Sequence, residues 1–182
     1  MRPLRDFGTP VADQIGPMSY CALQNMFLDG FPADQQNYWK SNFLRELNSD
    51  AIDVIVESFK RVPSPTSAIA IECLTGAVQR VALNETAFSH RNSPFDLLIV
   101  GIWPDPADTN AHVGWVRQLW HKMQPYSSGG VYVNYLGQEE DEGRERIRAA
   151  YEPAVYSRLA DLKRRYDPDN LFRMNQNIAP SK

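Results

Sequence analysis

Cysteine is scarce: the 182-residue sequence has two, Cys21 and Cys73, far apart along the chain. Two isolated cysteines make neither a disulfide framework nor a zinc site. Cys73 lies in an apolar run and reads as a small core residue. The three histidines, His90, His112 and His121, lack the spacing of metal ligands, and no metal is expected. No stretch approaches the ~20 apolar residues of a membrane helix. The start, residues 1–8, lacks the apolar core of a signal peptide, so a cytoplasmic location is expected. A net charge of -3 gives no bulk electrostatic reason for nucleic acid or an anionic membrane as partner. The densest charge run, Glu139 to Arg148, mixes both signs and reads as a solvated loop and helix start. There is no G-x-G-x-x-G after a strand, no Walker A loop and no G-x-S-x-G elbow.

What remains is an ordinary soluble composition, 43% hydrophobic and 23% charged, of a length that suits one domain. Residues 1–32 are rich in Pro and Gly and read as an extended lead-in with short elements. Tyr38 to Leu47 suits a helix with Phe43, Leu44 and Leu47 inward. Ser49 or Asp50 can cap a second helix, in which Ile52, Ile55, Val56 and Phe59 keep helical spacing. Ser67 to Leu74 reads as a strand, Ala77 to Leu83 as its partner after a Thr75-Gly76 turn, and Phe95 to Trp103 as a third strand buried on both faces. Asp108 to Met123 is a helix with Val113, Val116, Trp120 and Met123 on one stripe. The Ser127-Ser128-Gly129-Gly130 turn precedes a short strand, Val131 to Tyr135. Pro153 opens a last helix that runs to Tyr166. This order predicts an α+β fold, an antiparallel sheet with helices packed on one face.

Three segments carry more. They are Tyr132-Val133-Asn134-Tyr135 after Gly129-Gly130; Tyr166-Asp167-Pro168-Asp169-Asn170-Leu171-Phe172 followed by Asn175-Gln176-Asn177-Ile178; and Thr86-Ala87-Phe88-Ser89-His90-Arg91. With Tyr38-Trp39-Lys40-Ser41 and Pro17-Met18-Ser19-Tyr20, and in this order, they resemble the C-terminal part of berberine bridge enzyme-like FAD-linked oxidoreductases. Each motif by itself is weak, while all of them in order are specific. The resemblance implies a single substrate-binding domain of ferredoxin-like type over residues 1–182, with an N-terminal lead-in and a C-terminal tail. Nothing in the sequence corresponds to the family's FAD-binding domain. The resemblance thus implies a substrate-binding half of an oxidase of a small organic substrate. FAD would be its cofactor without being retained by this chain, and redox activity of the chain by itself is not expected. The partner would be a separate flavin-binding chain, or a second copy meeting the first through the sheet face. The alternatives are a stand-alone small-molecule-binding domain, a cofactor-free cyclase or isomerase, or a non-catalytic dimeric scaffold.

The resemblance also nominates residues. Tyr132 or Tyr135 would serve as base or proton relay, and a phenol needs a strongly lowered pKa to act as base near neutral pH. On a regular strand the two would point to opposite faces, leaving one in the core. Glu72, a lone carboxylate in the apolar Ile69–Leu74 run, is a second candidate base; otherwise it is an exposed face residue. His90-Arg91 reads as structural, with the arginine pairing a carboxylate to order its loop. Asn134, Asn170, Asn175 and Gln176, with Asn177, would hydrogen-bond the flavin or its domain; the plain alternative is a polar tail.

Overall fold

A computed structural model places the aromatic run around Tyr38 in a strand, β1 (Gln36–Leu44), not in the expected helix. The description covers residues 2–9, 11–13, 15–26, 28–30, 32–137, 142–174 and 176–182. These form two compact units, Met1–Ala33 and Asp34–Lys182. The first holds two short helices, α1 (Arg2–Arg5) and α2 (Tyr20–Gln24). Arg5 Nε donates to Asp13 Oδ2 at 2.5 Å, and Ser19 Oγ caps α2 by accepting from Ala22 N at 3.1 Å. Phe7, Val11 and Leu28 lie exposed.

The second unit is built on three antiparallel strands in the order β1-β3-β2, with β2 at Ala68–Cys73 and β3 at Phe95–Trp103. β1 pairs with β3 residue for residue, from Gln36↔Trp103 to Leu44↔Phe95. This pairing explains the strand. Tyr, Trp and Phe favour a pleated surface, and the adjacent Phe43 and Leu44 are both fully buried because the strand is covered on both faces.

Directly paired residues of an antiparallel ladder share a face. Tyr38, Leu44, Leu97, Ile99 and Trp103 face α3 (Ser49–Phe59) and α5 (Thr109–Lys122) and form the main core with Trp115, Val116, Leu119 and Met123. Trp115 Nε1 donates to the Ser58 carbonyl at 2.9 Å and ties the two helices together. His112 is buried and stacks on Trp103, with ring centroids 4.8 Å apart.

Several local expectations are corrected. Asn48, not Ser49 or Asp50, caps α3, its Oδ1 accepting from Ala51 N at 3.0 Å. The inward stripe is accordingly rotated: Ala51 is buried, with Val54 and Ile55 packed on the core, while Ile52, Val56 and Phe59 are exposed. Cys73 is exposed, because it ends edge strand β2 beyond the cover of the helices. Residues Ala77–Arg80 form a short helix, α4, rather than a strand. Gly76 at φ 68° turns the chain out of line after Leu74 N has made its last bond, to the Pro94 carbonyl at 2.8 Å.

The stretch after Gly130 is not a strand either. Pairing with β1 begins just before the two glycines, with Ser128 N donating to the Phe43 carbonyl at 2.8 Å. Gly129 and Gly130, at φ 80° and 78°, then bend the chain away, and Val133–Tyr135 closes a 3₁₀ turn. The last elements are α6 (Arg144–Ala149) and α7 (Pro153–Tyr166). Asp167 stops α7 by accepting from Leu171 N at 2.8 Å and Phe172 N at 3.1 Å. Its ion pair with Lys163 holds its carboxyl below the usual carboxylate range.

Candidate active site

The sheet face away from α3 and α5 carries the chemistry. The register sets Glu72 of β2 opposite Asp96 of β3, and Asp96 opposite Phe43 of β1. These three side chains therefore share that face. An aromatic series packs edge to face from Phe43: Phe43 to Phe88 at 6.2 Å, Phe88 to Tyr132 at 5.7 Å, and Tyr132 to Tyr135 at 5.2 Å. The series ends on an acid, because the Tyr135 hydroxyl donates to Glu72 Oε1 at 2.6 Å.

Tyr132 and Tyr135 thus lie side by side instead of on opposite faces. In a 3₁₀ turn residues i and i+3 eclipse, whereas in a strand they diverge. Both are partly exposed. The Tyr135 phenol is raised well above its ordinary value, first by burial, then by its hydrogen bond to Glu72 and by the charges of Glu72 and Asp96. Sequence reasoning passed over Asp96, which is 1% exposed and has no hydrogen-bond partner for either carboxylate oxygen. Burial and the charge of Glu72 push it up to about 7. The signal was an aspartate at the second position of an otherwise apolar strand, directly after Phe95.

A glycine and a histidine position the turn. His90 packs against Phe43, with ring centroids 4.6 Å apart, and its Nε2–H donates to the Ala149 carbonyl at 2.9 Å. A Cβ on Gly130 would overlap the His90 ring. A pocket of ≈ 170 Å³ opens beside this contact, lined by Phe88, His90, Tyr132, Asn134 and Tyr151 among others. Arg91 orders the preceding loop as expected, though through oxygens that carry no charge: it donates to the Val78 carbonyl at 2.8 Å and to Thr86 Oγ1 at 2.7 Å.

The proposed flavin contacts are spread more widely. Asn134 Nδ2 donates to the Tyr132 hydroxyl at 2.8 Å from an exposed position. Gln176 Nε2 donates to the Leu136 carbonyl at 2.5 Å and so pins the tail beside the tyrosine turn. Asn170 sits at φ 52°, with its buried Oδ1 unpartnered. Asn175 lies outside the described residues. The edge of an isoalloxazine ring offers both donors and acceptors, the kind of partner an amide side chain can meet. The pyrophosphate of a dinucleotide finds no match: among the described residues no glycine-rich loop opens a long helix. Nor do the described residues include a group of His, Cys, Asp and Glu able to hold a metal ion, or a helix long and apolar enough to cross a membrane.

Comparison with known proteins bears on this arrangement. Residues 131–179, from the tyrosine turn to the tail, match the family model described as berberine and berberine like. An FAD-linked oxidoreductase of Dictyostelium discoideum is 30% identical over 179 residues, 97% of this chain and 38% of that protein. An uncharacterized FAD-linked oxidoreductase of Bacillus subtilis is 30% identical over 188 residues, 100% of this chain and 41% of that protein. Among solved structures, the 6-hydroxy-D-nicotine oxidase of Arthrobacter nicotinovorans matches 99% of this chain with a TM-score of 0.74 at 23% identity, over 40% of its own chain. A berberine bridge enzyme-like protein of Arabidopsis thaliana matches 91% with a TM-score of 0.71 at 24% identity, again over 40% of its chain. At these identities the structural matches establish the fold. The chain spans about two fifths of the length of these relatives, and by its sequence across that span it belongs to the berberine bridge enzyme-like family of FAD-linked oxidoreductases.

Proposed function

We propose that this chain forms the substrate side of an FAD-linked oxidoreductase, with Tyr135 and Glu72 as the relay that takes a proton from a small organic substrate. The observation that carries the reading is the 2.6 Å hydrogen bond from the Tyr135 hydroxyl to Glu72 Oε1. A flavin supplies the electron acceptor in such enzymes. The part of this chain is the proton. Because burial and Glu72 raise the Tyr135 phenol, it does not wait as a free phenolate. It takes the substrate proton as its own passes to Glu72, and the carboxylate is the final base. Tyr132 packs against Tyr135 and orients it. Asn134, Asn170 and Gln176 bond the flavin ring or the chain that carries it, and that partner covers the sheet face bearing Glu72. The dinucleotide phosphates are held outside this chain, so the chain by itself retains no FAD.

One observation favours a second reading. The acid–phenol pair is complete within this chain, so a cofactor-free proton transfer, an isomerisation or cyclisation, needs no further residue. The two readings separate on one set of measurements. The chain is purified alone and together with a flavin-binding partner region, and flavin absorbance and anaerobic flavin reduction are followed for the native protein, Tyr135→Phe and Glu72→Gln. The first reading expects flavin only with the partner, and reduction slowed in both variants. Unchanged reduction in both would overturn it.

A further inference from the structure

Asp96 has no role in the relay just described, yet its placement is costly. Its side chain is 99% removed from solvent, and neither oxygen has a hydrogen-bond partner. A buried carboxylate without a partner is among the less favourable groups a core can hold. It is also aimed at the relay: the strand register sets it directly across from Glu72 on the same face, and Glu72 in turn accepts from Tyr135.

The other groups facing Asp96 bring no compensating charge. From β1 it meets Phe43, and behind Phe43 stands the His90 ring, engaged with the Ala149 carbonyl. From its own strand, Leu98 and Val100 share the face and are apolar. From the tyrosine turn come Tyr135 and, beside it, Tyr132. Glu72 is the anionic neighbour, and two like charges across one strand pair cannot both be carried without raising the proton affinity of the pair.

We propose that Asp96 is a positioning residue for this site: by its own ionisation it sets how tightly the Tyr135–Glu72 pair holds a proton, and so the pH at which the pair accepts one from a substrate. When Asp96 is neutral, it brings no second charge to the Tyr135–Glu72 pair. When Asp96 ionises, a second charge arrives opposite Glu72, and the pair takes a proton more readily. The change falls close to neutrality, since Asp96 is pushed up to about 7.

The inference rests on the relay reading for its meaning, but its test needs neither flavin nor substrate. The chain is prepared with ¹³C at the Asp and Glu carboxyl carbons and at the tyrosine ring carbon bearing oxygen, and is titrated by NMR. One carboxyl resonance is expected to titrate near neutrality, to vanish in Asp96→Asn and to move to lower pH in Glu72→Gln. The Tyr135 ring signal, identified by its loss in Tyr135→Phe, is expected to titrate at lower pH in Asp96→Asn than in the native chain. Titration of Asp96 in the ordinary carboxylate range would overturn the proposal. So would an Asp96 midpoint that Glu72→Gln leaves in place. Should Asp96→Asn not fold, the native and Glu72→Gln titrations still decide it. Failure of the relay shows separately, as unchanged flavin reduction in Tyr135→Phe, and leaves these titrations readable.

Discussion

Lys40 and Glu142 form an ion pair at 2.5 Å whose side chains are 3% and 1% exposed. Lys40 belongs to β1 on the helix-covered face, and its ammonium also lies over the Trp120 ring, 5.1 Å from the centroid. Glu142 accepts a second bond from Arg146 Nε at 3.1 Å, so one carboxylate joins the sheet to α6. Removing one partner of a buried pair costs about 3–5 kcal/mol, because the other charge stays behind in the core. Glu142→Ala is expected to lose an amount of that order in urea unfolding. Lys40→Met combined with Glu142→Leu is expected to recover most of it, and a double variant as unstable as the single one would contradict this account.

Gly130→Ala should destabilise more than Gly129→Ala. Both positions have positive φ, which costs a residue with a Cβ about 1–2 kcal/mol. Only Gly130 meets an obstacle, the His90 ring, while Gly129 faces open space. Adding His90→Ala to Gly130→Ala should return part of the loss. Thermal unfolding of the four proteins tests this, and equal losses at the two glycines would remove the steric argument.

Asp96→Asn is expected to change the pH dependence of stability with a definite sign. Burial and the charge of Glu72 push the folded carboxyl up to about 7, from 3.8 for the ordinary group. Stability from this residue is therefore full at acid pH and falls as pH rises from about 4 towards 7. The advantage of the variant over the native chain should grow across that window by up to about 4 kcal/mol. Unfolding free energies measured at both ends of the window check it; a constant difference would place the Asp96 carboxyl in an ordinary environment.

Tyr135→Phe and Tyr132→Phe should separate in a flavin-loaded enzyme. The first removes the hydroxyl bonded to Glu72 and is expected to slow substrate oxidation by ~10²–10⁴-fold. The second removes only an acceptor for Asn134, worth about one hydrogen bond and so about tenfold or less. Stopped-flow reduction under anaerobic conditions measures both. The reverse order of effects would transfer the relay to Tyr132.

Much of this architecture was legible in the residues. β3 and α7 fall on their expected residues because each has an unmixed local signal, an apolar run stopped by Pro104 and a helix opened by Pro153. β1 misled because Phe43, Leu44 and Leu47 also satisfy helical spacing, and only pairing with a strand far along the chain decides between the two. The tyrosine turn misled in the opposite way. Aromatic and β-branched residues read as a strand, yet two left-handed glycines remove the chain from the sheet. The Glu72–Tyr135 contact joins residues 63 positions apart, and Asp96 gains its meaning only from the register, so neither relation is visible along one segment of sequence.

The strand order also governs how the protein is made. Among the described residues β1 pairs with β3, which lies between β1 and β2 and pairs with both. On a ribosome the run from Tyr38 to Leu44 precedes β3, the strand it pairs with, by the length of α3, β2 and the loop to Phe95. Pairings this distant in sequence form slowly, and an apolar edge left waiting is a template for other chains. The central position of β3 thus makes its arrival the step that joins both other strands of this sheet.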